Sequence, residues 1–108
     1  LAELYGKLAE LAKTQGDLGR AEVSLHRALE IAERSGNMNM LAELYGKLAE
    51  LAKTQGDLDK AREFWTKARD LYARIGAKPM AEMMQRWLDE LDTGGGEDDE
   101  LDEADGEK

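Results

Sequence analysis

The residues of this chain that could act chemically are one histidine, His26, and a dense set of carboxylates, lysines and arginines. A catalytic site needs a nucleophile, a base and an orienting group that converge. No serine arrangement of that kind accompanies His26, and a lone imidazole lacks the partners a metal ion needs. The chain has no cysteine, which removes thiolate ligands, disulfides and thiol nucleophiles together. The glycines at 94–96 run into EDDE, with no structured flank, so they do not form a phosphate cradle. The sequence therefore reads as no enzyme, with no cofactor and no metal, and with His26 at the surface. The chemistry left to it is recognition through charge. Glu3, Lys7, Glu10 and Lys13 recur as Glu43, Lys47, Glu50 and Lys53, with Gly6 and Gly46 set among them. Glu3–Lys7 and Glu43–Lys47 have the i,i+4 spacing of pairs that stabilise a solvated helix face.

Those charges are carried on a repeat. Residues 1–18 read LAELYGKLAELAKTQGDL, and residues 41–58 read the same. Beyond them the likeness thins to Ala21/Ala61, Ala28/Ala68, Arg34/Arg74, Gly36/Gly76 and Met40/Met80. The period is 40, and a third unit starts at Ala81 in the same register, with Met84, Leu88 and Leu91 in the apolar places. Each full unit predicts two helices. Leu1, Leu4, Tyr5, Leu8, Leu11 and Ala12 fall on one face of the first. Leu18, Ala21, Leu25, Ala28, Leu29 and Ala32 form the stripe of the second, and Leu58, Ala61, Phe64, Trp65, Ala68, Leu71, Tyr72 and Ile75 form its counterpart.

The turns are written in the same terms. Gly16 supplies a left-handed stop and Asp17 a cap for the next helix. Gly36 and Gly76 end the second helices, and Pro79 suits a first helical turn, where an N–H is dispensable. Alanines at 9, 12, 21 and 28 let helix axes approach, while Tyr5, Leu8 and Leu25 fill the gaps between them. Gly6 and Gly46, costly inside a helix, are expected to serve close packing, with room for a ligand backbone as the alternative. Trp65 is expected in the core. Trp87, aligned with Lys7 and Lys47, is expected to cover the end of the stack, partly exposed. The five methionines gather at the junctions as adaptable packing.

Tyr5, Leu8, Ala9, Gly16-Asp17, Ala21, Leu25 and Ala28 resemble the pattern of the tetratricopeptide repeat, and Tyr45, Leu48, Ala49, Gly56-Asp57, Ala61, Trp65 and Ala68 repeat it. The family's usual period is 34, and its closing proline is missing here, with Glu33 and Ala73 near its place. The longer unit is similar to repeats of kinesin light chains and of Pins-type adaptors. The resemblance implies an all-α fold: a right-handed α-α superhelix of antiparallel hairpins. Two repeats (1–40 and 41–80) and a capping helix (79–92) would give five helices over residues 1–92, ahead of an acidic, Gly-rich, unfolded tail at 93–108. It also implies a protein–protein interaction scaffold, whose first helices line a concave groove for a peptide or partner helix. The groove residues would be Glu3, Gly6, Lys7, Glu10, Lys13, Glu43, Gly46, Lys47, Glu50 and Lys53, continued by Arg86 and Asp89. Some relatives grip a C-terminal carboxylate with Lys, Asn and Arg. The matching places here hold Gly6, Glu10, Gly46 and Glu50, so no such clamp is expected and a ligand of mixed or basic charge fits better.

Charge and composition limit the other readings. The formal net charge is -9, but residues 97–108 hold eight acids and one base, leaving 16 acids and 14 bases in the first 96 residues. That balance offers no electrostatic footprint for nucleic acid or an anionic membrane. The tail's role is solubility, or bait for a basic partner. No apolar run is long enough to span a bilayer and no leader is visible, so the location reads as cytoplasmic. The sequence opens on Leu1 inside the pattern, as a piece of a longer chain would. Nothing caps the first helix, so upstream repeats or self-association through that helix are expected. The alternative to a dedicated scaffold is a self-associating or designed repeat without its own ligand, since eighteen identical residues mark a recent or deliberate duplication.

Overall fold

The computed structural model describes residues 1–93, so the acidic stretch anticipated as a tail lies outside the described residues, apart from Thr93. The described residues form five helices: α1 (Ala2–Thr14), α2 (Leu18–Ser35), α3 (Met38–Thr54), α4 (Leu58–Arg74) and α5 (Lys78–Asp92). The links are two or three residues long, and each helix packs on the next in sequence.

The helix ends follow from side chains that satisfy orphan backbone groups. Asp17, Asn37 and Asp57 each accept a hydrogen bond from the N–H three residues on, at 3.0–3.2 Å. Asn37 starts α3 at Met38, three residues ahead of the duplicated stretch. At the other end of α1, Gly16 takes φ 82° and lets the Asp17 N–H reach the Ala12 carbonyl at 2.8 Å. A residue with a Cβ would be strained there. Pro79 lies in the first turn of α5.

Alanine faces draw the helices together. Ala28, Ala42, Ala49, Ala61 and Ala68 are fully buried. One core cluster joins α1, α2 and α3 around Leu25, Leu44 and Leu48. A second joins α3, α4 and α5 around Trp65, Tyr72, Met84 and Leu88. Trp65 is buried and its ring lies 5.5 Å from that of the half-buried Trp87. Arg62 clasps Asp92 at 2.7 Å, which fastens α5 to α4.

The identical halves do not share one environment. Leu41, Leu44, Leu48 and Leu51 are 9, 1, 2 and 2 % exposed, whereas Leu1, Leu4, Leu8 and Leu11 are 79, 54, 43 and 54 % exposed. The reason is position. α2 and α4 enclose α3, but α1 has a neighbour on one side alone. The uncovered side of the first helix was expected; Leu8 as a gap filler was not right, because no helix of the described residues stands opposite it. The described residues measure 51 × 34 × 18 Å, and 18 Å is about two helix diameters. The helices thus form two layers, with α1, α3 and α5 in one and α2 and α4 in the other.

Candidate functional site

The outer face of α1, α3 and α5 carries the charged repeat. Its ion pairs do not run along the helices as the i,i+4 spacing predicts. Lys47 Nζ donates to Glu10 Oε2 at 2.7 Å, and Lys13 Nζ donates to Glu50 Oε1 at 3.4 Å. Among the described residues neither Glu3–Lys7 nor Glu43–Lys47 forms an ion pair. The pairs cross between α1 and α3 because these helices lie side by side, so Glu10 and Glu50 each receive the lysine of the facing helix. The Lys47 hydrogen bond and charge hold the Glu10 carboxyl below its ordinary pKa of 4.5, against the opposing cost of burial and with a lesser lowering from Lys13. Beneath this quartet a crevice of about 20 Å³ runs down to Leu25 and Leu51.

Two open hollows lie on the same face. The first, of about 250 Å³, lies between α1 and α3. Glu3, Gly6, Lys7 and Glu10 form one wall; Met40, Glu43, Leu44 and Lys47 form the other. The second, of about 160 Å³, lies between α3 and α5. Glu43, Gly46, Lys47 and Glu50 form its near wall, and Met80, Met84 and Trp87 its far wall, with Tyr72 of α4 also lining it. The second hollow is the first moved by one period. Each near-wall residue is the forty-residue counterpart of its predecessor, and Met40, Leu44 and Lys47 become Met80, Met84 and Trp87.

The glycines belong to these hollows and not to helix packing. A Cβ on Gly6 would meet no atom within 4 Å, and one on Gly46 would meet Met84 Sδ alone, at an unstrained 3.9 Å. The close-packing expectation is therefore wrong. Both glycines widen a hollow where a side chain would narrow it.

The remaining sequence candidates are placed differently. Lys53 and Arg86 are exposed and line neither hollow. Asp89 stands one period from the buried Ala49 and two from the buried Ala9, on a different face of the helix from the hollows. There it accepts from Gln85 at 3.0 Å, and Gln85 accepts from Arg69 of α4 at 2.8 Å. His26 is exposed, with Phe64 6.5 Å away edge-on. Among the described residues no group of three or more His, Asp or Glu could hold a metal ion, and no helix is long and apolar enough to cross a membrane. Sequence reasoning missed Met40, Met80, Met84 and Tyr72 as wall residues. The signal for Met40 and Met80 was present, since they match across the period.

Burial, reinforced by Glu43, raises the Tyr72 hydroxyl above its ordinary pKa of 10.0, and burial with Glu33 does the same for Tyr45. Both tyrosines stay neutral.

Comparison with curated proteins and with solved structures yields no match. The family model for the tetratricopeptide repeat matches residues 1–77. Repeats of this kind generally mediate protein–protein interaction. An all-helical stack with a 40-residue period, matched by that model over most of its length, places the chain in the tetratricopeptide repeat family.

Proposed function

We propose that the face of α1, α3 and α5 is a docking groove for a segment of a partner protein. The observation that carries this reading is the recurrence of one open hollow at the repeat period, each with a glycine in its wall. Glycine inside a helix costs about 1 kcal/mol relative to alanine. Two such glycines that relieve no clash are explained by the space they leave. The walls combine apolar surface with a few charges, the usual make-up of a recognition site. The groove residues are Glu3, Gly6, Lys7, Glu10, Glu43, Gly46, Lys47 and Glu50, with Lys13 holding Glu50 in place.

The test is a selection of peptides from a random display library against the full chain. Selected peptides should lose at least about tenfold in affinity to Gly6→Leu or Gly46→Leu, which fill one hollow each. Helical content and melting temperature should be retained. Peptides that bind both variants as well as the parent would show that the groove is not the site.

A second reading rests on a separate observation. Leu4, Leu8 and Leu11 of α1 are 43–54 % exposed while their identical counterparts on α3 are buried. An apolar stripe of that length is the kind of surface that serves as an interaction site. On this reading the chain self-associates through α1, with or without a groove ligand.

A further inference from the structure

We propose that the hollow between α3 and α5 is a pocket for an arginine side chain of the docked segment. The inference rests on the groove reading above and names what the second hollow takes.

Three observations converge on a planar cation. The first is the wall. Tyr72 and Trp87 border the hollow with the thioethers of Met80 and Met84. Aromatic rings attract a cation over their faces, and a guanidinium can stack on them as an ammonium cannot. Thioethers are polarisable and adapt to the alkyl stem.

The second is charge. Three charged side chains line this hollow, Glu43, Lys47 and Glu50, and Glu10 and Lys13 of α1 pair with the last two. Both lysines are engaged, Lys47 by Glu10 at 2.7 Å and Lys13 by Glu50 at 3.4 Å. Glu43 borders both hollows and has no ion-pair partner among the described residues. The cluster therefore carries one carboxylate in excess, and that carboxylate is at the rim of the aromatic pocket.

The third is the comparison between the two hollows. Their near walls are identical in sequence. In the α1–α3 hollow the place of Trp87 is held by Lys47 and that of Met84 by Leu44. Lys47 borders both hollows and is engaged by Glu10, so the difference between them lies in the far wall, which holds an aromatic ring only in the second. The same near wall thus meets a far wall without an aromatic ring in one hollow and one carrying Trp87 in the other. The two hollows are distinct in specificity, and arginine belongs to the second.

The experiment uses the full 108-residue chain, with N-acetyl-arginine amide as the probe. The readout is amide and indole N–H chemical shift, and the Trp87 indole signal is identified by its loss in Trp87→Phe. The arginine probe should move the Trp87 indole and Gly46 signals with saturable curvature. N-acetyl-citrulline amide, the uncharged isostere, should bind at least about fivefold more weakly, and N-acetyl-leucine amide no better than citrulline. Glu43→Gln should remove most of the arginine preference while leaving the spectrum of the unligated chain dispersed. Equal binding of citrulline or leucine would overturn the proposal in favour of an apolar pocket. Absence of any shift at these signals by about 100 mM probe, a level far above the millimolar range of weak sites, would overturn it outright. Either result leaves the groove reading standing if selected peptides still depend on Gly46. If the arginine probe binds but no groove-dependent peptide is found, the groove reading falls and the pocket stands alone.

Discussion

Single residues in this protein take their energetic weight from their place in the stack and not from their local sequence. Leu8 and Leu48 sit in identical surroundings along the chain, yet one is 43 % exposed and the other 2 %. Removing a buried leucine side chain costs about 2–5 kcal/mol, whereas an exposed one contributes little. Leu48→Ala should therefore destabilise the chain by about 3 kcal/mol in urea unfolding, and Leu8→Ala by less than about 1 kcal/mol. Equal losses would mean that α1 is covered in solution. The glycines invert the usual expectation for a helix interior. Because a Cβ on Gly6 or Gly46 meets no obstacle, alanine at either place should stabilise by about 0.5–1 kcal/mol. For a domain of this size that is a rise of about 3–6 °C in melting temperature. The same substitutions narrow the hollows, so stability and ligand affinity should move in opposite directions. A fall in melting temperature would restore a packing role for the glycines.

At the level of helices, the duplication wrote a charge pattern whose pairing is decided by neighbours. Glu10 and Lys47 lie 37 residues apart and meet because α1 and α3 share a layer. Their side chains are 61 and 35 % exposed, so solvent screening limits the pair to about 0.5 kcal/mol. Glu10 ionises more readily folded than unfolded, since its pKa is lowered. Its contribution is present above the ordinary carboxylate value and is lost as pH falls through the depressed folded value. A double-mutant cycle on Glu10→Gln and Lys47→Met should give a coupling of about 0.5 kcal/mol at pH 7, shrinking in acid and in 1 M salt. A coupling that survives low pH would exclude the carboxylate as its source. The boundaries of the helices were legible in the sequence because caps and glycine stops act within four residues. Asp17, Asp57, Gly16 and Gly36 announce themselves. The cross-helix pairs and the hollows were not, because they depend on the distance between helices, which no local spacing encodes. The i,i+4 rule offered Lys47 the partner Glu43, and the fold gave it Glu10 instead.

Across the described residues the asymmetry of the two ends of the stack decides behaviour. At the C-terminal end, Glu82, Gln85, Arg86, Asp89 and Glu90 of α5 are exposed, and Arg62 and Arg69 tie that helix to α4. At the N-terminal end the leucines of α1 face outward at i, i+3, i+7 and i+10, the spacing of a coiled-coil seam. This difference was readable from the repeat alone, since the outer places of the half unit read Glu82, Gln85, Arg86, Asp89 and Glu90, whereas the first helical stretch writes Leu1, Leu4, Leu8 and Leu11. Its consequence is a choice of partner. The polar end resists association, while two copies can bury their α1 stripes against each other in a closed, two-fold pair. Light scattering across a concentration series should show mass rising from 12.0 kDa toward twice that value and stopping there. Leu4→Lys with Leu8→Lys should hold the chain at the single-copy mass without loss of helix, because both side chains are already 43 % exposed or more. A parent chain that stays at single-copy mass up to about 1 mM, where even a contact of about 4 kcal/mol would register, would leave the stripe to upstream repeats or to another protein. Continued growth beyond the pair would show instead that α1 docks on a different surface of the next copy, an open arrangement that the polar α5 end disfavours.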